Sequence, residues 1–401
     1  MNFKSIKDMD LSGKRVLLRA DLNVPARRGK VMDATRIERL KPTIDHLRAA
    51  GAKTLILSHF GRPEGEQNPE MSLAFLMPSL EQAWGTPVRF APDCIGEKAQ
   101  SVVDAMNDGD VVLLENVRFH KGEKANDPEF TAQLAALGDV FVNDAFSAAH
   151  RAHASTEGLA QHLPAAAGLM MEAELTALDH ALGHPQKPVA AIVGGSKIST
   201  KLNVLNNIVQ KTDYLILGGA MANTFLFAKG ADVGSSLCEK DMKDEALNIL
   251  ETAKAKGCEI VLPIDSVVTQ ELQAGAPSET VSSQSIPEGK MAIDVGPQSI
   301  AHVEGILEKC KTLLWNGPMG VFEIKPFDEG TNALARKAAA LTKDGKLTSV
   351  AGGGDTVAAL ENADVCDDFT YISSAGGAFL EWLEGKSLPG VAALEKSAKA
   401  A

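Results

Sequence analysis

Short apolar runs alternate with longer amphipathic stretches along most of the chain. The apolar runs at residues 15–19, 54–58, 111–114 and 140–143 predict strands in the first half. A second set lies at 189–193, 214–217, 259–262, 312–315, 347–351 and 369–372. These runs are continuous rather than alternating, as expected of strands buried on both faces of a parallel sheet. Between them, residues 35–50, 201–211, 241–256 and 331–341 repeat apolar positions at helical spacing. The rhythm predicts an α/β protein of two doubly wound parallel-sheet domains. Residues 171–182 read as a helix closed by Gly183, Pro185 and Pro188, which places a connecting hinge at 171–188 between domains at 1–170 and 189–385. The Ala/Lys-rich stretch 392–401 is compatible with a helix or a frayed tail.

Composition narrows the class. The 401 residues are 45% hydrophobic and 23% charged, which excludes disorder, collagen and coiled coil as the main description. Apolar stretches such as 164–171 are too short to span a bilayer, and the first fifteen residues lack the apolar run of a secretory leader. Cys94, Cys238, Cys258, Cys310 and Cys366 are scattered and nowhere spaced C-x-x-C. That pattern argues against a disulfide framework or zinc ribbon and fits a reducing cytoplasm. A net charge of −12 argues against a protein that coats nucleic acid. Its distribution is uneven: eleven arginines precede residue 152 and only Arg336 follows. Arginine reads phosphate and carboxylate bidentately, so an arginine-rich first half in an acidic chain points to a small anion bound there.

Open parallel sheets bind ligands beyond the carboxyl ends of their strands. The first strand is followed by Asp21 and Asn23, the second by His59 and Arg62, the third by Asn116 and Arg118, the fourth by Asp144 and Arg151. A lone arginine after a strand is ordinarily a surface residue. Arginines at successive tips, with Arg36 close in sequence, favour a phosphate or carboxylate ligand.

The tips of the second half carry glycine instead: Gly194-Gly195-Ser196-Lys197, Gly218-Gly219, Asn316-Gly317-Pro318, Gly352-Gly353-Gly354-Asp355-Thr356 and Ala375-Gly376-Gly377. Glycine admits phosphate to backbone N–H groups at a helix N-terminus. One doublet often just closes a turn, but five in one sheet suggest a nucleotide laid across it. Neither a P-loop nor a G-x-G-x-x-G fingerprint is present. Asp355 reads as a magnesium ligand, as a helix N-cap, or as both.

Taken in order, the segments resemble the phosphoglycerate kinases. The resemblance rests on Arg15-Val-Leu-Leu-Arg-Ala-Asp-Leu-Asn-Val-Pro25, Ser58-His-Phe-Gly-Arg-Pro63, Glu115-Asn-Val-Arg-Phe-His120, Asn143-Asp-Ala-Phe146 with His150-Arg-Ala-His153, Gly194 to Lys201, Trp315 to Pro318 with Glu323, and Gly352 to Thr356. It covers essentially the whole chain. It implies two domains facing each other across a cleft, a C-terminal tail from about 386 returning to the first domain, and function as a monomeric cytoplasmic enzyme. The implied reaction is reversible phosphoryl transfer from 1,3-bisphosphoglycerate to ADP, giving 3-phosphoglycerate and ATP, with Mg2+ carried on the nucleotide. By position, Asp21, Asn23, Arg36, His59, Arg62, Arg118 and Arg151 match the family's phosphoglycerate site. Gly195, Lys197, Lys201, Gly219, Asn316, Pro318, Glu323, Gly352, Gly353, Gly354, Asp355 and Thr356 match the nucleotide site. Arg36, Lys197 and Lys201 are implied to act on the transferring group, Glu323 on the ribose hydroxyls and Asp355 on the metal. Ala375 stands where many members have a third glycine, which is tolerable if its φ stays negative.

The chemistry agrees with the residues. The acyl-end oxygen belongs to a carboxylate already ionised at neutral pH, so no general base is needed, and the task is positioning and charge neutralisation. His59 is expected to hydrogen-bond substrate rather than shuttle protons, and His120, His150 and His153 to be structural or solvent-facing. Two rivals share the architecture. A two-domain binding protein without catalysis would lack phosphoryl transfer in a coupled assay, and a dinucleotide dehydrogenase would need the absent fingerprint loop.

Overall fold

The computed structural model describes residues 2–400. The chain divides into two compact units. One runs to Leu175 and takes in the chain again from Ser387; the other is Thr176–Lys386. The division falls inside the helix Leu169–Leu178.

The first unit holds β1 (Arg15–Arg19), a small hairpin of β2 (Ala26–Arg27) and β3 (Lys30–Val31), β4 (Lys53–Leu57), β5 (Val88–Ala91), β6 (Val111–Leu114), β7 (Val140–Asn143) and β8 (Ala165–Ala167). Its main sheet is parallel, in the order β5-β6-β4-β1-β7-β8. The second unit holds β9 (Val189–Val193), β10 (Tyr214–Leu217), β11 (Glu259–Val261), an antiparallel trio of β12 (Asp265–Thr269), β13 (Ser278–Ser282) and β14 (Met291–Val295), then β15 (Thr312–Asn316), β16 (Thr348–Gly352) and β17 (Tyr371–Ser373). Its parallel sheet runs β11-β10-β9-β15-β16-β17, so the strand order reverses between β9 and β15. That reversal is where doubly wound sheets open a crevice for ligands.

Local chemistry explains where these elements differ from the sequence pattern. Residues 35–50 form two helices, Thr35–Arg39 and Lys41–Ala49, because Pro42 lacks the N–H that would continue the first. Strand β8 is three alanines and β13 is the polar run Ser-Glu-Thr-Val-Ser, neither of which looks like a buried strand in isolation. Each sheet is packed on apolar side chains: Val16, Leu18, Ile56, Leu113 and Val142 in the first unit, Ala190, Ile192, Leu313, Trp315 and Ala351 in the second. Each large side chain so buried contributes about 1.5–3 kcal/mol. The helix Pro389–Ala400 lies on the first unit, with Gly390 N donating to Ala149 O at 2.9 Å and Ala165 N to Ser397 Oγ at 3.0 Å.

Candidate active site

In the first unit the neighbours β6, β4, β1 and β7 end side by side, which brings their tips together. Arg36 Nη1 donates to Asp21 Oδ2 at 2.7 Å and to Asn23 O at 3.1 Å. Ser147 Oγ also donates to Asp21, and Gly61 N donates to Asn23 Oδ1 at 3.0 Å, so the turns after β1, β4 and β7 are pinned to one another. Arg118 is buried; its Nη1 donates to Gly61 O at 2.9 Å, while its Nε has no hydrogen-bond partner. Burial first, then the charges of Arg151, Arg19 and Arg62, push the Arg118 pKa down to about 10. Arg62 and Arg151 are exposed. A buried cation crowded by cations and holding an orphaned N–H is arranged for an anion.

His59 is buried beneath this cluster. Arg19 Nη2 lies 2.8 Å from His59 Nδ1, and a guanidinium can only donate, so Nδ1 must accept and Nε2 carries the proton. Burial and the surrounding arginines hold His59 far below its ordinary pKa, so it is a neutral hydrogen-bond donor. Arg19 Nε donates to Ser155 Oγ at 2.9 Å, and Ser155 donates from Oγ (2.6 Å) and N (3.0 Å) to the fully buried Glu123. His153 Nδ1 is 3.7 Å from the same carboxylate; burial and the arginines lower its pKa to about 4. Arg19, Glu123 and Ser155 did not stand out in the sequence, because their significance lies in contacts made across the fold, and His153, expected to be structural or solvent-facing, packs beside the Glu123 carboxylate. A cavity of about 830 Å³ also lies in this unit, but none of Arg36, Arg62, Arg118 or Arg151 lines it.

In the second unit the glycine tips of β10, β9, β15, β16 and β17 lie in consecutive order. At the reversal, β9 and β15 end so close that a Cβ on Gly194 would sit 1.8 Å from Pro318 O. Only glycine allows that approach. Lys201 Nζ donates to Gly194 O and Asn316 Oδ1, each at 2.7 Å, and to Asn316 O at 3.2 Å. All three of its donors therefore tie the two tips together. Asn316 Nδ2 and Thr356 Oγ1 both donate to Gly352 O, and Gly317 N donates to Thr356 Oγ1, which fixes the third tip. Gly353 has φ +100° and precedes the helix Gly354–Asn362, whose first turn carries the exposed Asp355. Ala375 has φ −103°, within reach of any L-residue. Lys197 is exposed on the loop before the helix Leu202–Ile208 rather than within it.

These tips border a cavity of about 380 Å³. Gly195, Gly219, Pro318, Glu323 and Asp355 line it, while Leu237 and Leu272 form an apolar wall although about half of each residue is exposed. Exposed leucines beside the glycine tips were not singled out in the sequence, where single surface leucines are common.

The model of the family described as phosphoglycerate kinase matches residues 6–386. The chain belongs to the phosphoglycerate kinase family. It is 59% identical over 397 residues to the phosphoglycerate kinase of Sinorhizobium fredii, covering 99% of this chain and 100% of that protein. The Rhodospirillum centenum phosphoglycerate kinase is 59% identical over 394 residues, covering 98% and 100%. The solved structure of the Coxiella burnetii phosphoglycerate kinase matches at a TM-score of 0.93 and 42% identity, with full coverage of both chains. The Pyrococcus horikoshii enzyme matches at 0.77 and 29%, covering 99% of each. The chain is thus a glycolytic kinase that transfers a phosphoryl group between 1,3-bisphosphoglycerate and ADP.

Two expected results follow for this kinase. Arg118→Ala should weaken phosphoglycerate binding by about 1.5–3 kcal/mol, the range for hydrogen bonds to charged groups, and leave nucleotide affinity nearly unchanged. Calorimetric titration with each ligand separates the two; equal losses would show that Arg118 does not serve the acid alone. Burial lowers the Lys201 pKa to about 8, against the raising effect of Asp355. Below that pH the ammonium is charged and would attract a bound phosphate; above it the charge is lost from the free enzyme. ATP affinity should therefore weaken by up to about tenfold per pH unit above pH 8, until the higher pKa of the bound state is reached. Lys201→Arg should flatten this profile, and an unchanged slope in that variant would assign the titration elsewhere.

Proposed function

We propose that the kinase binds its acid substrate on the arginine cluster of the first unit and its magnesium nucleotide on the glycine tips of the second. Transfer then proceeds by charge stabilisation without a general base. The observation that carries this reading is the buried, unpartnered Arg118 Nε inside a crowd of arginines. The neutral His59, with its proton on Nε2, is suited to donating a hydrogen bond to substrate oxygen and not to shuttling protons. In the second unit the apolar wall of Leu237 and Leu272 takes the base, Glu323 the ribose hydroxyls, and the backbone around Gly195, Gly219 and Gly353 the phosphates.

Asp355 fits a magnesium ligand. It is an exposed hard carboxylate on the cavity, and magnesium is usually held by one or two carboxylates together with substrate phosphates. When bound, the ion would neutralise polyphosphate charge. The reading takes the kinase as a monomer acting in the cytoplasm. Neither nucleic acid nor a membrane enters this reading; among the described residues no helix is long and apolar enough to cross a bilayer.

With the acid on one unit and the nucleotide on the other, turnover must bring the two ligands into contact. The reading therefore includes hinge bending at 171–188. Small-angle scattering should give a smaller radius of gyration with both substrates than with either alone. Identical values for the binary and ternary states would remove closure from the mechanism.

A further inference from the structure

The loop after β5 and the turn after β6 bring together three side chains that the phosphoryl-transfer reading does not use. They are Asp93, Cys94 and His120, each offering one ligand atom, all within 4.8 Å of one another. His120 Nε2 is 2.8 Å from Asp93 Oδ1, and Cys94 N donates to the same oxygen at 2.7 Å. The His120 ring is stacked on Phe130 at 5.2 Å between centroids, which restricts how it can turn. Cys94 is completely buried and its thiol is free of any disulfide. The side chains of His120 and Asp93 are 27% and 21% exposed, leaving a route from solvent.

A His–Asp pair alone would need no thiol beside it. Sulfur, imidazole nitrogen and carboxylate oxygen in one cluster are the donor set of zinc, which binds them at about 2.0–2.3 Å in a tetrahedron. We propose that Asp93, Cys94 and His120 form a zinc site, with water in the fourth position. Coordination replaces the thiol proton of Cys94, which leaves to solvent. The imidazole stays neutral by carrying its proton on Nδ1 while Nε2 binds the ion. One carboxylate and one thiolate then balance the two positive charges, so the half-buried site gains no net charge. Magnesium, a hard ion that avoids thiolate, does not compete here.

The position gives the ion a consequence. His120 N donates to Val117 O at 3.3 Å and closes the turn Val117–Phe119 that carries Arg118; His120 also precedes the helix Lys121–Ala125 that carries Glu123. An ion joining Asp93 and Cys94 to His120 braces this turn against the end of β5. The ligands come from two segments 26 residues apart, which is why no Cys/His spacing in the sequence marks the site.

The test uses the full chain freed of metal by chelation. Equilibrium dialysis with zinc and elemental analysis should find one tightly held ion per chain, undiminished by excess magnesium. Zinc should also raise the melting temperature. Cobalt in place of zinc should show a thiolate-to-cobalt charge-transfer band. Cys94→Ser should abolish that band, and Cys94→Ser and His120→Gln should each weaken zinc binding by at least about tenfold. His120→Gln alters a partly exposed ring and so tests the site even if the buried Cys94 substitution fails to fold. No zinc retained by the parent chain, or zinc held equally well by the His120 variant, would overturn the proposal.

Discussion

Arg36→Met is expected to lower kcat by roughly a hundredfold or more, on the order of 3 kcal/mol, while the dissociation constant for phosphoglycerate alone changes only a few-fold. The structure supplies the reason. Arg36 is already held by Asp21 Oδ2 and Asn23 O, so its guanidinium is oriented before any ligand arrives, and it remains partly exposed. A cation fixed in advance does most for charge that develops during transfer, because no reorganisation is needed at that moment. Lys197→Met should act in the same way from the second unit. Its exposed ammonium costs little to place and would be engaged fully only when both substrates are bound. Steady-state kinetics beside binary binding measurements decides the matter. A raised KM with an intact kcat would make either residue an ordinary binding cation.

Glu123→Gln should destabilise the first unit by about 3–5 kcal/mol, the cost of leaving one member of a buried charge pair without the other. Glu123 is fully buried, and Ser155 links it to the equally buried Arg19. Burial pushes both toward neutrality, raising the carboxyl pKa and lowering that of the guanidinium, while each charge opposes the shift of the other. Without the carboxylate, Arg19 would keep its charge with Ser155, the Ala20 carbonyl and His59 as hydrogen-bond partners and the charge of Asp21 to offset it. The companion Arg19→Met/Glu123→Gln double variant should lose less than the sum of the single losses. Trp84 is the one tryptophan of the first unit, so urea unfolding followed by its fluorescence, with Trp315 and Trp382 changed to Phe, isolates the relevant transition. Additive losses would mean that the two charges do not support each other.

The parallel strands were legible because burial on both faces writes itself as continuous apolar runs, and β1, β6, β7, β9 and β10 have the bounds their sequences predict. Edge strand β8 was not, since three alanines carry little strand preference. The arginines and glycines at the tips could be read because such residue types stand out directly after apolar strands. Arg19 could not, for it lies inside an apolar strand and acquires its meaning from Ser155, more than a hundred residues away. Lys201 was legible as a residue of interest, yet its three bonds to the tips of β9 and β15 depend on a strand order that no local pattern encodes.

The chain enters the second unit at Thr176 and leaves it at Lys386, so the first unit is sewn from two remote stretches. A ribosome delivers these stretches in a fixed order. All of residues 176–386 emerge before the helix that supplies buried Leu394 and bonds to Ala149 and Ala165. Domains generally fold as they appear during synthesis. Here the arginine-bearing unit starts first and is finished last, with the apolar ground under that helix left open to water while the second unit is made.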